Sequence, residues 1–307
     1  MSTTIKNVMI VGAGGNLGPS ILSALDASNQ FNLSILTRNS SKSTFPSHIK
    51  VHKIDDSYPD VELEAAFKGQ DAIVSTVGSP GKKRQTNMID AAVKAGVKRF
   101  IPAEFGSNSA NPGAVEAIPF IMDDKAKVVK YLKTKEKDGM TWSALCTGPF
   151  FDWCLKVGLL GFKLSTQSAT LYSGGTTKYS STNLSAVGTA VVNILLKPSE
   201  TANRYLYICT STASQLDLLA ALEKATGGQK WTVEHQDVEE LGKMGREMLS
   251  KGNMAGAGPC IIATVHTPGL GGNFEEDVQL DNELLGVESV GLDESVRRVL
   301  KEVGGGA

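Results

Sequence analysis

The run Val8-Met9-Ile10-Val11-Gly12-Ala13-Gly14-Gly15-Asn16-Leu17-Gly18 constrains this chain more than any other stretch. Four consecutive apolar residues read as a strand buried on both faces. The glycines follow at once, and Pro19-Ser20-Ile21-Leu22 then opens a helical pattern. Strand, glycine turn and helix together are the context in which such a motif acquires a mechanism. Gly12 suits the tight turn, Gly14 or Gly15 lets backbone N–H groups approach a pyrophosphate, and Gly18 lets helix and strand pack closely. The phosphates would sit on the positive end of the helix, beside Asn16 and Leu17. Gly12, Gly15 and Gly18 fit G-x-x-G-x-x-G, whereas G-x-G-x-x-G fails at Leu17. An ordinary glycine turn has the same letters, but the position directly after a first strand favours a dinucleotide.

Strand-like and helical runs alternate beyond this point. Strands are expected at 32–37, 49–54, 72–77, 99–102 and 142–146, and helices at 61–67, 86–95 and 123–137. That alternation predicts an α/β fold, a Rossmann-type doubly wound parallel sheet, over residues 1–155. Residues 156–307 are less regular and are expected to form a smaller C-terminal substrate domain or lid. A segment near 180–210 is a candidate to rejoin the sheet. The glycine-rich residues 251–272 read as mobile until a ligand binds. Ligands of such sheets lie beyond the carboxyl ends of the strands. This selects the glycine turn, Thr37 and Arg38, Asp55 and Asp56, Thr76, Val77, Gly78 and Ser79, the stretch from Ala103 to Gly106 with Phe105, and the segment from Thr147 to Phe151 as site loops. Gln85, at the start of the following helix, is within reach of a cofactor.

Bulk properties narrow the classes. A chain of 307 residues can build a large core. The net charge of -1 implies no field for nucleic acid or a membrane surface. The four cysteines have no C-x-x-C spacing and read as reduced, buried thiols. No histidine pair has metal-ligand spacing, so no metal is expected. No apolar run is long enough to span a bilayer and no signal-peptide pattern opens the sequence. The expectation is a cytoplasmic protein, monomeric or homodimeric, acting on a small molecule.

The end of the second strand indicates which dinucleotide. An NAD site has an acid about 20 residues beyond the glycines, bonding the ribose 2′-OH. Here the stretch reads Thr37-Arg38-Asn39-Ser40-Ser41-Lys42, without an acid. Arg38 and Lys42 can instead hold a 2′-phosphate, Arg38 as a bidentate fork. NADP is therefore the expected cofactor.

The glycine turn, Ser75-Thr76-Val77-Gly78, Lys98-Arg99-Phe100-Ile101-Pro102-Ala103-Glu104-Phe105-Gly106 and Lys125-Ala126-Lys127 together resemble the atypical short-chain dehydrogenases of the NmrA-like, isoflavone-reductase-like branch. That branch includes the phenylcoumaran benzylic ether and pinoresinol–lariciresinol reductases. The likeness covers the first half well and the second loosely, and Ala103 stands where the reductases commonly have Ser. It implies NADPH as cofactor, an arginine on the 2′-phosphate and a catalytic lysine at Lys125.

Helix phase bears on the same lysine. Short-chain dehydrogenases generally use Tyr-x-x-x-Lys, and Tyr131 with Lys135 matches that spacing. On the helix, however, Lys125 shares the apolar stripe of Ile121, Val128, Val129 and Leu132, whereas Tyr131 and Lys135 fall on its flank. A lysine in such a stripe either snorkels or is held near a ligand. Its place in the first turn, near the carboxyl ends of the strands, favours the ligand. Four residues earlier stands Ile121, so the phenol acid is missing. Lys125 then becomes the general acid/base or the anchor of the nicotinamide ribose. Phe150, Phe151 and Trp153 either wall a flat aromatic substrate or pack the two halves together. Glu104 either orients a group or caps its loop, and His266 is a candidate to line the substrate site. Two functions fit: an NADPH-dependent reductase of a small aromatic or polycyclic molecule, and a non-catalytic NADP-binding redox sensor acting through a protein partner.

Overall fold

A computed structural model describes residues 4–78 and 81–304. Ser79, expected among the cofactor contacts, lies outside these residues. The first half alternates β1 (Asn7–Val11), α1 (Gly18–Ser28), β2 (Asn32–Arg38), β3 (Lys50–Ile54), α2 (Asp60–Phe67), β4 (Ala72–Ser75), α3 (Gln85–Lys94), β5 (Arg99–Ile101), α4 (Pro112–Ala117), α5 (Pro119–Lys135) and β6 (Thr141–Cys146). The strands form one sheet, and a seventh strand, Arg204–Tyr207, rejoins it beside β6 in parallel. The spatial order is seventh strand, β6, β5, β4, β1, β2, β3. Each pairing is parallel, with β1 at the switch point between β2 and β4.

Period-two alternation divides β1 between the two faces of the sheet. Ile10 packs with Ile21 of α1 and with Val191 of α7 (Leu184–Leu196), which follows α6 (Phe151–Val157). Met9 packs on the other face with Phe67 of α2, Met88 of α3 and Leu132 of α5. Helices thus cover both faces, the condition under which a parallel sheet is stable.

The second half has its own apolar cluster, in which Phe151, Phe162, Leu218 and Val299 meet. It contains α8 (Gln215–Ala225), α9 (Val238–Ser250), α10 (Ala257–Val265) and the helix Leu292–Glu302. A small sheet joins Phe162–Lys163, Ser168–Tyr172 and Thr232–Gln236. The last of these strands is largely exposed and shows no alternation that would mark it in the sequence.

Two sequence expectations are corrected here. Residues 257–265, in the glycine-rich stretch where no helix was expected, form a regular helix. Some glycines of that stretch serve close packing: a Cβ on Gly256 would stand 2.3 Å from the Gly245 carbonyl oxygen of α9. The helix carrying Lys125 begins at Pro119 rather than at 123, because proline is well placed in a first helical turn.

Candidate active site

The loops after β1, β2 and β4 enclose a cavity of about 190 Å³ lined by Gly12, Gly14, Gly15, Thr37, Arg38, Thr76, Val77 and Gly78. The turn depends on glycine at two places. Gly12 has φ +89, and a Cβ there would meet the Thr76 carbonyl carbon at 3.1 Å. A Cβ on Gly18 would stand 2.4 Å from the Ala13 oxygen, so only glycine lets α1 approach the turn this closely. Asn16 is exposed at the mouth of the turn, whereas Leu17 is buried and packs into the core. No side chain caps the amino end of α1; Pro19 has no N–H, and the Ser20 and Ile21 amides donate to the Leu17 carbonyl oxygen.

Arg38 lines this cavity, but Lys42 is exposed and outside the lining; Ser41 and Ser43 stand there instead. Tyr58 completes the wall. The Asp55–Asp56 loop, expected among the site loops, also brings an acid to the arginine. The register pairs Arg38 with Ile54 of β3, which brings Asp56 within 3.6 Å of the Arg38 guanidinium. The Ser40 hydroxyl and amide, and then Arg38, hold the Asp56 carboxyl below the usual carboxylate range. Asp56 does not line the cavity.

A second cavity, about 240 Å³, opens where the loops after β5 and β6 meet. Its walls are mostly apolar: Phe105, Ile118, Ile121, Met122, Phe150 and Trp153 among them. Lys125 is its one charged lining residue and is only 8% exposed. Ile118, Ile121, Met122 and Lys125 share one face of the chain leading into and along α5, at spacings of three and four. The Lys125 ammonium donates to the carbonyl oxygens of Glu104 and Phe105, the latter at 3.3 Å. An ammonium has three N–H donors, so one remains for a ligand. Glu104 is buried, and its carboxylate accepts from the Ser109 N–H at 3.2 Å, which fixes the loop presenting those carbonyls. Burial pushes the Cys154 thiol in the wall up to about 12, so it stays protonated.

Other candidates lie elsewhere. Phe150 and Trp153 line the apolar cavity, but Phe151 is buried in the core of the second half. Gln85 is 1% exposed, and its Oε1 accepts from the Ala103 N–H at 2.8 Å, tying α3 to the end of β5. His266 is absent from this lining; it is buried between Tyr172 and Tyr179, with ring centroids 5.1 and 4.8 Å away. Its Nδ1 has no partner among the described residues, and burial lowers its pKa to about 4. Tyr131 and Lys135 both engage Asp90 of α3, Tyr131 at 2.7 Å and Lys135 at 2.6 Å. The Asp90 carboxylate, ahead of Tyr131, pushes Lys135 up to about 12. Neither residue lines the apolar cavity.

Leu159 and Ile261, which complete the apolar wall, carry no motif. Ile118 and Met122 were readable from their helical spacing to Lys125. Among the described residues no group of three or more His, Cys, Asp or Glu is placed to hold a metal ion. No helix among them is long and apolar enough to cross a membrane.

Comparison with known proteins gives concordant matches. The model of the NmrA-like family matches residues 4–250. The chain is 46% identical over 298 residues to the oxidoreductase aprR of Aspergillus flavus, covering 97% of this chain and 99% of that one. It is 33% identical over 300 residues to the oxidoreductase poxI of Penicillium oxalicum, covering 94% and 92%. Among solved structures, the binary complex of leucoanthocyanidin reductase with NADPH from Vitis vinifera superposes with a TM-score of 0.77 at 20% identity, covering 96% of this chain and 99% of that one.

Proposed function

The chain belongs to the NmrA-like family, and on that premise we propose that it is an NADPH-dependent reductase of a small, aromatic or polycyclic substrate bound over Lys125. The observation that carries this reading is the pairing of two cavities at the carboxyl end of one parallel sheet. One has a glycine cradle and an arginine; the other is apolar with a single buried lysine. The first fits a dinucleotide. Side chains at Gly12 or Gly18 would fill the turn, and Arg38 supplies the fork that a 2′-phosphate requires. Two relatives covering nearly the whole chain are named oxidoreductases.

NADPH, when bound, supplies the hydride. The residues do the rest. Phe105, Phe150, Trp153 and Ile261 exclude water and offer flat apolar surface to an aromatic substrate. Charge develops on the substrate atom that must gain a proton, and a positioned donor is needed there. Lys125, with one donor free of the Glu104 and Phe105 carbonyls, is that group, either giving the proton or fixing a ribose hydroxyl. The missing phenol at Ile121 leaves this work to the lysine. NADPH oxidation against a panel of aromatic ketones, enones and benzylic ethers tests the assignment. Turnover of at least one class, lost in Lys125→Met, is the expected result. NADPH binding with no turnover of any class would contradict it and favour a redox sensor.

A further inference from the structure

Arg99 lies at the opposite end of the sheet from both cavities and is 1% exposed. Its Nε donates to Thr141 Oγ1 at 2.8 Å. Nη1 donates to Ser143 Oγ at 2.7 Å and Thr201 Oγ1 at 3.0 Å, and Nη2 to the Pro198 carbonyl at 2.5 Å. Each of those hydroxyls spends its own proton on a backbone carbonyl: Thr141 on Lys98, Ser143 on Thr201, and Thr201 on Lys197. Their lone pairs are thereby turned to the guanidinium. This network staples β5, β6 and the turn after α7.

It does not neutralise the charge. Every acceptor is uncharged, and Arg99 forms no ion pair among the described residues. Burial alone lowers its pKa to about 10, with no charged neighbour contributing. Buried charges are ordinarily paired, because removing an ion from water is costly. Four of the five guanidinium N–H donors are accounted for.

A cavity of about 160 Å³ adjoins this group, lined by Arg99, Lys98, Thr141, Pro198 and Ser199. Lys98 is exposed at its rim and makes no ion pair among the described residues. One cation thus lies within and another at the entrance, with no acid in the lining. We propose that this cavity is a binding site for a small free oxyanion of the phosphate type, held by Arg99 from within and by Lys98 at the rim. The site is separate from the nucleotide cavity, which lies at the carboxyl ends of the strands, and does not depend on the reductase reading. Its occupant would complete the buried charge and lock the seventh strand against β6.

Thermal unfolding with inorganic phosphate, at ionic strength held constant with sodium chloride, tests this. All measurements use an Arg38→Asp background, so that phosphate in the nucleotide cavity does not contribute. Arg99→Met removes the staple as well as the charge and is open to misfolding, so Lys98→Glu is the informative change. Phosphate at about ten times its dissociation constant should raise the melting temperature by roughly 3 °C in Arg38→Asp. In Arg38→Asp/Lys98→Glu the rise should fall to less than half. No rise in the first variant, or a rise at least half as large in the second, overturns the proposal.

Discussion

Discrimination between NADPH and NADH is the consequence most directly computable from the nucleotide cavity. Arg38 lines that cavity, and its charge-assisted contact with a 2′-phosphate should contribute roughly 1.5–3 kcal/mol. Asp56 competes for the same guanidinium at 3.6 Å, but that pair is exposed on both sides, and pairs of this kind contribute little. Most of the contact therefore goes to the phosphate. NADPH should bind at least about tenfold more tightly than NADH. Arg38→Asp should reverse the order by placing a like charge against the phosphate and an acceptor near the ribose 2′-OH. Asp56→Asn should keep the NADPH preference and sharpen it slightly, because it removes the competitor while retaining an acceptor for Ser40. Titration of each protein with both nucleotides, followed by quenching of intrinsic fluorescence, measures all three. Equal affinities in the parent protein would refute the assignment of Arg38.

Two further outcomes concern stability. The folded protein resists protonating His266, whose pKa is lowered to about 4 by burial, whereas the unfolded chain takes up that proton near 6.5. The stabilisation is complete above about pH 6.5 and is lost progressively as pH falls toward 4, by at most about 3 kcal/mol; urea midpoints across this window should flatten in His266→Phe, and an unchanged pH slope would contradict the burial argument. Gly245→Ala should destabilise by roughly 1–3 kcal/mol, since its Cβ would meet Cys260 Sγ at 2.8 Å between α9 and α10; a neutral effect in chemical denaturation would show that this helix pair is loosely seated.

The features legible in the sequence were local ones. Gly12 and Gly18 announce a turn because the steric demand arises within a few residues of chain. The parallel sheet follows from alternation, and the burial of Lys125 follows from its spacing to Ile121 and Val128 on one helix. What escaped depends on distant partners. Asp55–Asp56 was legible as a site loop, but the pairing of Asp56 with Arg38 arises only through the β2–β3 register. Lys42 looked as useful as Arg38 because both are cations near the end of one strand, yet loop geometry leaves it outside the cavity. His266 read either as a core or surface histidine or as a substrate contact, and Tyr172 and Tyr179, far away in sequence, enclose it in the core. The glycines of 251–272 suggested mobility, although a Cβ on Gly256 would stand 2.3 Å from the Gly245 oxygen and one on Gly272 2.5 Å from the Val265 oxygen. Glycine letters do not distinguish freedom from close approach.

The central claim is that Lys125, rather than the Tyr131–Lys135 pair, serves the chemistry. The deciding measurement is the single-turnover rate of NADPH oxidation at saturating substrate, compared among Lys125→Met, Tyr131→Phe, Lys135→Ala and the parent, with folding verified by circular dichroism. Lys125→Met should lose about a hundredfold or more, the scale of acid–base assistance. Tyr131→Phe and Lys135→Ala, whose partner is Asp90 on the flank of the helix, should remain within about threefold of the parent. An inactive Tyr131→Phe beside a fully active Lys125→Met would contradict the account.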